Sequence, residues 1–133
     1  MKTIEFFIGA KVLHLYLNGA AMFAIQSLDD GIPEGAPDAL ERMMQHDADG
    51  IHVLCHVAQI LATQGELCRR YLQYTPARIP TAEELRLILS PMQLIGLRSA
   101  VIQAIDAGYS QPDSVDGGDI DTGLAELEKK TKP

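Results

Sequence analysis

One stretch governs what this chain can become. Between about residues 49 and 74, polar side chains recur at steps of three and four: His52, His56, Gln59, Thr63, Glu66, Arg70 and Gln73. That period belongs to an α-helix and not to a strand. Ile51, Leu54, Val57, Ala58, Ile60, Leu61, Leu67 and Leu72 occupy most of the remaining circumference. An apolar face so wide predicts a central helix, or one that also meets another chain. Within it, Gly65 predicts a bend or a close contact. Any fold built around this element is mainly helical. The composition agrees, because the chain has no tryptophan and only 5% aromatic residues. Helices accept an aliphatic, alanine-rich core, whereas a β-sandwich draws on aromatic and β-branched residues. A chain of 133 residues is long enough for one domain to bury a core without staples.

Around that helix the rest of the chain can be laid out. Residues 3–17 read as a β-hairpin. Ile4, Phe6 and Ile8 alternate with Glu5 and Phe7; Leu13, Leu15 and Leu17 alternate with His14 and Tyr16; Gly9-Ala10-Lys11 makes the turn. A lone hairpin is barely stable, so one face must pack on helices. Asn18 is a helix N-cap for a short apolar helix over residues 19–28. Residues 29–37 are rich in helix-stopping Asp, Gly and Pro and form a loop. A short helix follows over residues 38–45. Residues 75–80 are a break. Thr81 with Glu84 forms a capping box for a short helix to Leu89. Ser90-Pro91 starts another, cap then proline, with Leu94, Leu97, Val101, Ala104 and Ile105 on one face. Gly108 is its expected terminator. The expected fold class is α+β, mostly α: an N-terminal hairpin packed on a bundle of four or five helices. Residues 1–109 form the globular domain. Residues 110–133 form a flexible acidic tail, because Asp113, Asp116, Asp119 and Asp121 occur there with two glycines and a proline. An amphipathic segment at residues 123–130 is too short to hold as a helix alone.

Charge and cysteine usage narrow the function classes. A net charge of −7 argues against a broad nucleic-acid surface, which needs clustered Lys and Arg. It equally opposes docking on anionic membranes, and it favours solubility and a protein or small-molecule partner. Cys55 and Cys68 lie thirteen positions apart on one helix. Their Cα atoms are then roughly 20 Å apart, against a limit of about 7 Å for a disulfide. Two free thiols in a reducing compartment follow. No apolar run reaches the length of a membrane span, and Met1-Lys2-Thr3 ahead of a strand is not a signal peptide. The expected location is cytoplasmic.

Few residues suggest chemistry. His52 and His56 at i, i+4 share a helix face and could bind a metal. The adjacent Glu of a zinc hydrolase is missing, and exposure on the polar stripe accounts for both. Cys55 and Cys68 sit inside a helix near its apolar side, where a thiol is inert unless its pKa is lowered. Asp47-Ala48-Asp49-Gly50 lacks the ligand spacing of a calcium loop, so Asp47 or Asp49 serves as a cap. Arg69-Arg70-Tyr71 with Tyr74 is the one basic-aromatic patch. It reads either as a contact for an acidic partner or as a helix end whose cations suit the dipole. No phosphate loop or nucleophile elbow occurs. No catalytic residue and no cofactor or metal is expected, and binding is favoured over catalysis.

Several stretches carry a likeness. Ile4-Glu5-Phe6-Phe7-Ile8-Gly9-Ala10-Lys11, Asn18-Gly19-Ala20 with Phe23 and Ile25, and Gln64-Gly65-Glu66-Leu67-Cys68-Arg69-Arg70-Tyr71 with Tyr74 and Pro76 are three. Ile79-Pro80-Thr81-Ala82, Leu89-Ser90-Pro91 and Ile120-Asp121-Thr122-Gly123-Leu124-Ala125-Glu126-Leu127 continue it. In these the chain resembles the phage tail assembly chaperones of tailed phages and prophages. The likeness spans most of the chain except residues 29–50, and none of its motifs is catalytic. It implies a non-enzymatic protein that binds the tape-measure protein and keeps it soluble until tail-tube subunits polymerise around it. It also implies self-association, contact with the tail-tube protein, and residence in the bacterial host cytoplasm rather than the mature virion. A longer frameshifted form is implied too, and Lys129-Lys130 is compatible with a slippery codon run. Candidate partner-binding residues are Arg69, Arg70, Tyr71, Tyr74, Leu124 and Leu127. The rival readings are a structural tail or neck protein retained in the virion, and a small metal-binding protein using His52 and His56. A transcription regulator is more distant, since no basic recognition helix is present.

Overall fold

A computed structural model describes residues 3–71 and 78–110, with residues 70 and 71 described in backbone only. The elements run β1 (Ile4–Ile8), β2 (Lys11–Leu15), α1 (Gly19–Ser27), α2 (Ala39–Arg42), α3 (Ala48–Tyr71), α4 (Ala82–Ile88) and α5 (Pro91–Tyr109). This is the expected mostly helical fold with a hairpin packed on helices. The expectations for the acidic tail, for residues 123–130, for the end of the long helix at residues 72–74 and for residues 75–77 of the break lie outside the described residues.

The helix starts follow from side-chain capping. Asn18 Oδ1 accepts from the Ala21 amide at 2.8 Å. Thr81 with Glu84 and Ser90 with Gln93 form reciprocal capping boxes, and Pro91 opens α5. Asp38 and Glu41 form a third box at α2. Asp47, rather than Asp49, caps α3, its carboxylate accepting from the Gly50 amide at 2.7 Å. Each such cap satisfies amides that a helix leaves without partners.

The central helix is α3. Val53, Leu54, Cys55, Val57, Ala58, Leu61 and Ala62 are buried, and α1, α2, α4, α5 and β2 all pack on it. The hairpin pairs Ile4 with Leu15, Phe6 with Leu13 and Ile8 with Lys11. Its inner face joins the core beside α5, where Phe6 lies next to Gly96.

The edge of β2 departs from simple alternation. His14 was expected on the polar face but is buried, at 8% exposure. The cause is α3 lying along the strand: the Tyr16 amide donates to the Leu61 carbonyl at 3.1 Å, and Gly65 abuts the His14 carbonyl. Gly65 is therefore a close contact and not a bend. The polar stripe also breaks at its end. Glu66, expected outside, is 4% exposed, and Leu67, expected inside, is 46% exposed. Glu66 lies inside with Arg69 one turn on as its counter-charge, and Leu67 turns away.

Gly108 does not end α5, which continues to Tyr109 with Ser110 as its cap. A Cβ at Gly108 would come within 2.6 Å of the Leu17 Cβ. The glycine admits Leu17 against the helix. The short helix expected over residues 38–45 narrows to one turn, α2, followed by turns. Among the described residues, no helix is long and apolar enough to cross a membrane.

Candidate functional site

Of the basic-aromatic patch, Arg69 is the one side chain among the described residues. Arg69 is half-buried, and its Nε stands 3.3 Å from Glu66 Oε1 one turn back. Its guanidinium serves a buried carboxylate, a costly group to leave unpaired. Arg70 and Tyr71 fall in the last turn of α3, with side chains outside the described residues. Tyr74, Leu124 and Leu127 also lie outside them.

The histidine pair has a clear geometry. The His52 and His56 rings meet edge to face with centroids 4.4 Å apart. Arg86 of α4 brings its guanidinium to 3.3 Å from His52 Nδ1. A resident cation at that nitrogen works against a second one. Among the described residues, no three His, Cys, Asp or Glu side chains cluster closely enough to hold a metal ion. Both cysteines are unpaired thiols. Burial pushes the Cys55 thiol up, with Arg86 opposing in part, so it is a poor nucleophile.

Burial, then the neighbouring His52 and Arg86, hold the His56 pKa below its ordinary 6.5, with Glu83 partly opposing. The unfolded chain therefore takes up this proton first as pH falls. The His56 contribution to stability is complete above pH 6.5 and is lost as pH drops through the lower, folded value. The expected result is a lower urea midpoint at about pH 5 than at about pH 7.5. His56→Gln should shrink that difference; an unchanged difference would remove His56 as its source.

The most distinctive surface is one that sequence reasoning missed. An open groove of about 630 Å³ runs between the hairpin and α4. Val12 and Leu13 form one wall, Leu87 and Ile88 the other, with Lys11, Arg78 and Glu84 also lining it. Helix α4 is held in place from α3: Gln59 Oε1 accepts from the Ala82 amide at 2.9 Å. Its Ala82 and Leu85 are buried, while Leu87 is 85% and Ile88 53% exposed. Just past the junction, Met92 and Ile95 of α5 are 76% and 57% exposed. A signal was available. Leu85, Leu87, Ile88 and Leu89 crowd a helix of under two turns, which can bury only one side.

Charge at the groove is uneven. Arg78 Nη2 donates to both carboxylate oxygens of Glu84, at 2.9 and 2.8 Å. The Thr81 amide also donates to Glu84, and these bonds, the Thr81 one foremost, pull its pKa down to about 2. Glu84 is thus ionised and offsets Arg78. Lys11 is exposed, and among the described residues no carboxylate pairs with it.

A smaller recess of about 200 Å³ lies among α1, α2 and α5, lined by Met22, Ile25 and Ile105 with Asp29 and Asp38. Both carboxylates are engaged in the fold. Asp29 accepts from the Ala39 amide at 2.7 Å and Asp38 caps α2.

Comparison with known proteins finds no matching family model, no similar curated protein and no similar solved structure.

Proposed function

We propose that this protein is a non-enzymatic tail assembly chaperone of a tailed phage or prophage, binding the tape-measure protein and keeping it soluble until the tail tube forms. The observation that carries the reading is the exposure of Leu87 and Ile88 along an open groove, with Met92 and Ile95 of α5 also exposed. It stands on a chain whose net charge of −7 opposes self-aggregation. Solvent-facing apolar clusters mark protein-binding sites, and a holdase needs such a surface on a soluble body. The sequence resemblance supplies the identity of the client. On this reading the protein acts in the bacterial host cytoplasm, self-associates, meets the tail-tube protein in passing and is absent from the finished virion. A longer frameshifted form of the chain belongs to the same reading.

Co-expression with the tape-measure protein of the same gene cluster is the test. A soluble complex recovered on either partner's tag is the expected result. A tape-measure protein that stays insoluble and uncaptured would overturn the reading. Mass spectrometry of purified virions separates this role from that of a retained tail or neck protein, because a chaperone leaves no stoichiometric signal there.

A further inference from the structure

We infer that the groove between β2 and α4 seats an acidic amphipathic segment of a partner protein, with its apolar side chains on Leu87 and Ile88 and a carboxylate on Lys11. The inference rests on the protein-binding reading and names the surface and the chemistry of its occupant. The walls set the apolar half of the match. Leu87 and Ile88 of α4 line it across from Val12 and Leu13 of β2, and its roughly 630 Å³ has room for several aliphatic side chains.

The charged half of the match comes from Lys11. Arg78 and Glu84 satisfy each other through two hydrogen bonds, so Lys11 is the uncompensated charge among the lining residues. In a chain of net charge −7 this inverts the sign locally. At physiological ionic strength, exposed charges beyond about 8 Å are largely screened. The groove therefore presents its own positive charge to an occupant, not the negative charge of the whole molecule. A carboxylate flanking apolar anchors meets both features at once.

The probe is a fluorescein-labelled synthetic peptide with leucines at helical spacing flanked by glutamates. Its partner probe carries lysines in place of the glutamates. Fluorescence anisotropy with the full chain reads binding. The glutamate peptide should bind, and the lysine peptide about tenfold more weakly. Leu87→Asp or Ile88→Asp should weaken the glutamate peptide by about tenfold, as loss of an interface anchor does. Both residues are exposed, so circular dichroism melts should stay unchanged and exclude misfolding. Lys11→Glu should reverse the preference between the two peptides.

Equal binding of both peptides, or variants that bind as the parent does, would overturn the inference. Two other occupants are separable. If Leu87→Asp converts a dimer to a monomer in sedimentation while neither peptide binds, the occupant is a second copy. If Leu124→Asp with Leu127→Asp tightens peptide binding, the chain's own C-terminal segment competes for the groove and the partner assignment falls. The chaperone reading is tested apart from this. Capture of the tape-measure protein by the Leu87→Asp chain would remove the groove and leave the chaperone. A parent chain that binds the peptide but captures no tape-measure protein would do the reverse.

Discussion

Gly65→Ala is expected to destabilise the protein by about 3 kcal/mol, at the upper end of what overpacking a tight contact costs. Intrinsic propensity points the other way, since alanine in a helix interior is favoured over glycine by roughly 1 kcal/mol. The sign of the result therefore decides whether β2 is seated on α3. A Cβ at residue 65 would overlap the His14 carbonyl oxygen and come within 2.8 Å of its carbon. These are backbone atoms of a paired strand, so no side chain can swing aside to relieve the clash. The strand would have to lift, and the Tyr16-to-Leu61 hydrogen bond and the burial of His14 would go with it. Gly19→Ala is the control: it sits in the first turn of α1 with nothing within 4 Å of its Cβ position. Urea denaturation of the two variants beside the parent gives the measurement. A stabilised Gly65→Ala chain would mean that the strand does not lie against the helix as described.

That contact also shows where sequence reasoning reaches its limit. Periodicity along α3 is a property of one helix, and it places His52, His56, Gln59 and Thr63 on the more open side as expected. It fails at Glu66 and Leu67, because which face is covered there is set by packing from elsewhere in the fold and not by the helix's own period. Helix starts were legible because capping is local: Asn18, Thr81 with Glu84 and Ser90 with Pro91 act within four residues of themselves. Gly108 resembled a stop signal because a glycine after an apolar run has two uses, and only the position of Leu17 distinguishes them. The candidate site was the least legible part. Arg69 looked like an exposed cation because nothing local shows that Glu66 is buried beside it. The groove is composed of a strand and a helix some seventy residues apart in the chain. Leu87 and Ile88 face outward because Ala82, Leu85 and Leu89 take the buried side of that segment.

Arg98 carries no local signal at all, and its removal should have the second large effect. It is 8% exposed on α5, yet no carboxylate neutralises it among the described residues. Its Nε donates to the Met43 carbonyl at 2.9 Å and its Nη2 to the Gln45 carbonyl at 3.3 Å, with Nη1 3.3 Å from His46 Nδ1. Those carbonyls follow the single turn of α2, where helix-end oxygens lack amide partners and carry partial negative charge. One guanidinium thereby ties α5 to the connection between α2 and α3. Arg98→Met keeps much of the side-chain stem but leaves these acceptors without a donor. Stranding the buried Met43 acceptor costs about 1–3 kcal/mol; Gln45 and His46 are exposed and regain partners from water, so a loss of about 2 kcal/mol is expected. Removing the cation itself recovers part of its desolvation cost, which keeps the figure below a sum of three full bonds. Arg98→Lys should fall between parent and Arg98→Met, because an ammonium lacks the planar fork that reaches several acceptors together. Urea midpoints rank the three chains, and amide exchange at residues 43–47 locates the loss. If Arg98→Met proves as stable as the parent, the α2–α3 connection is held by its turns and caps alone. If it ranks as expected, a buried arginine with no carboxylate partner is what fixes α5, and with it the exposed Met92 and Ile95, relative to the central helix.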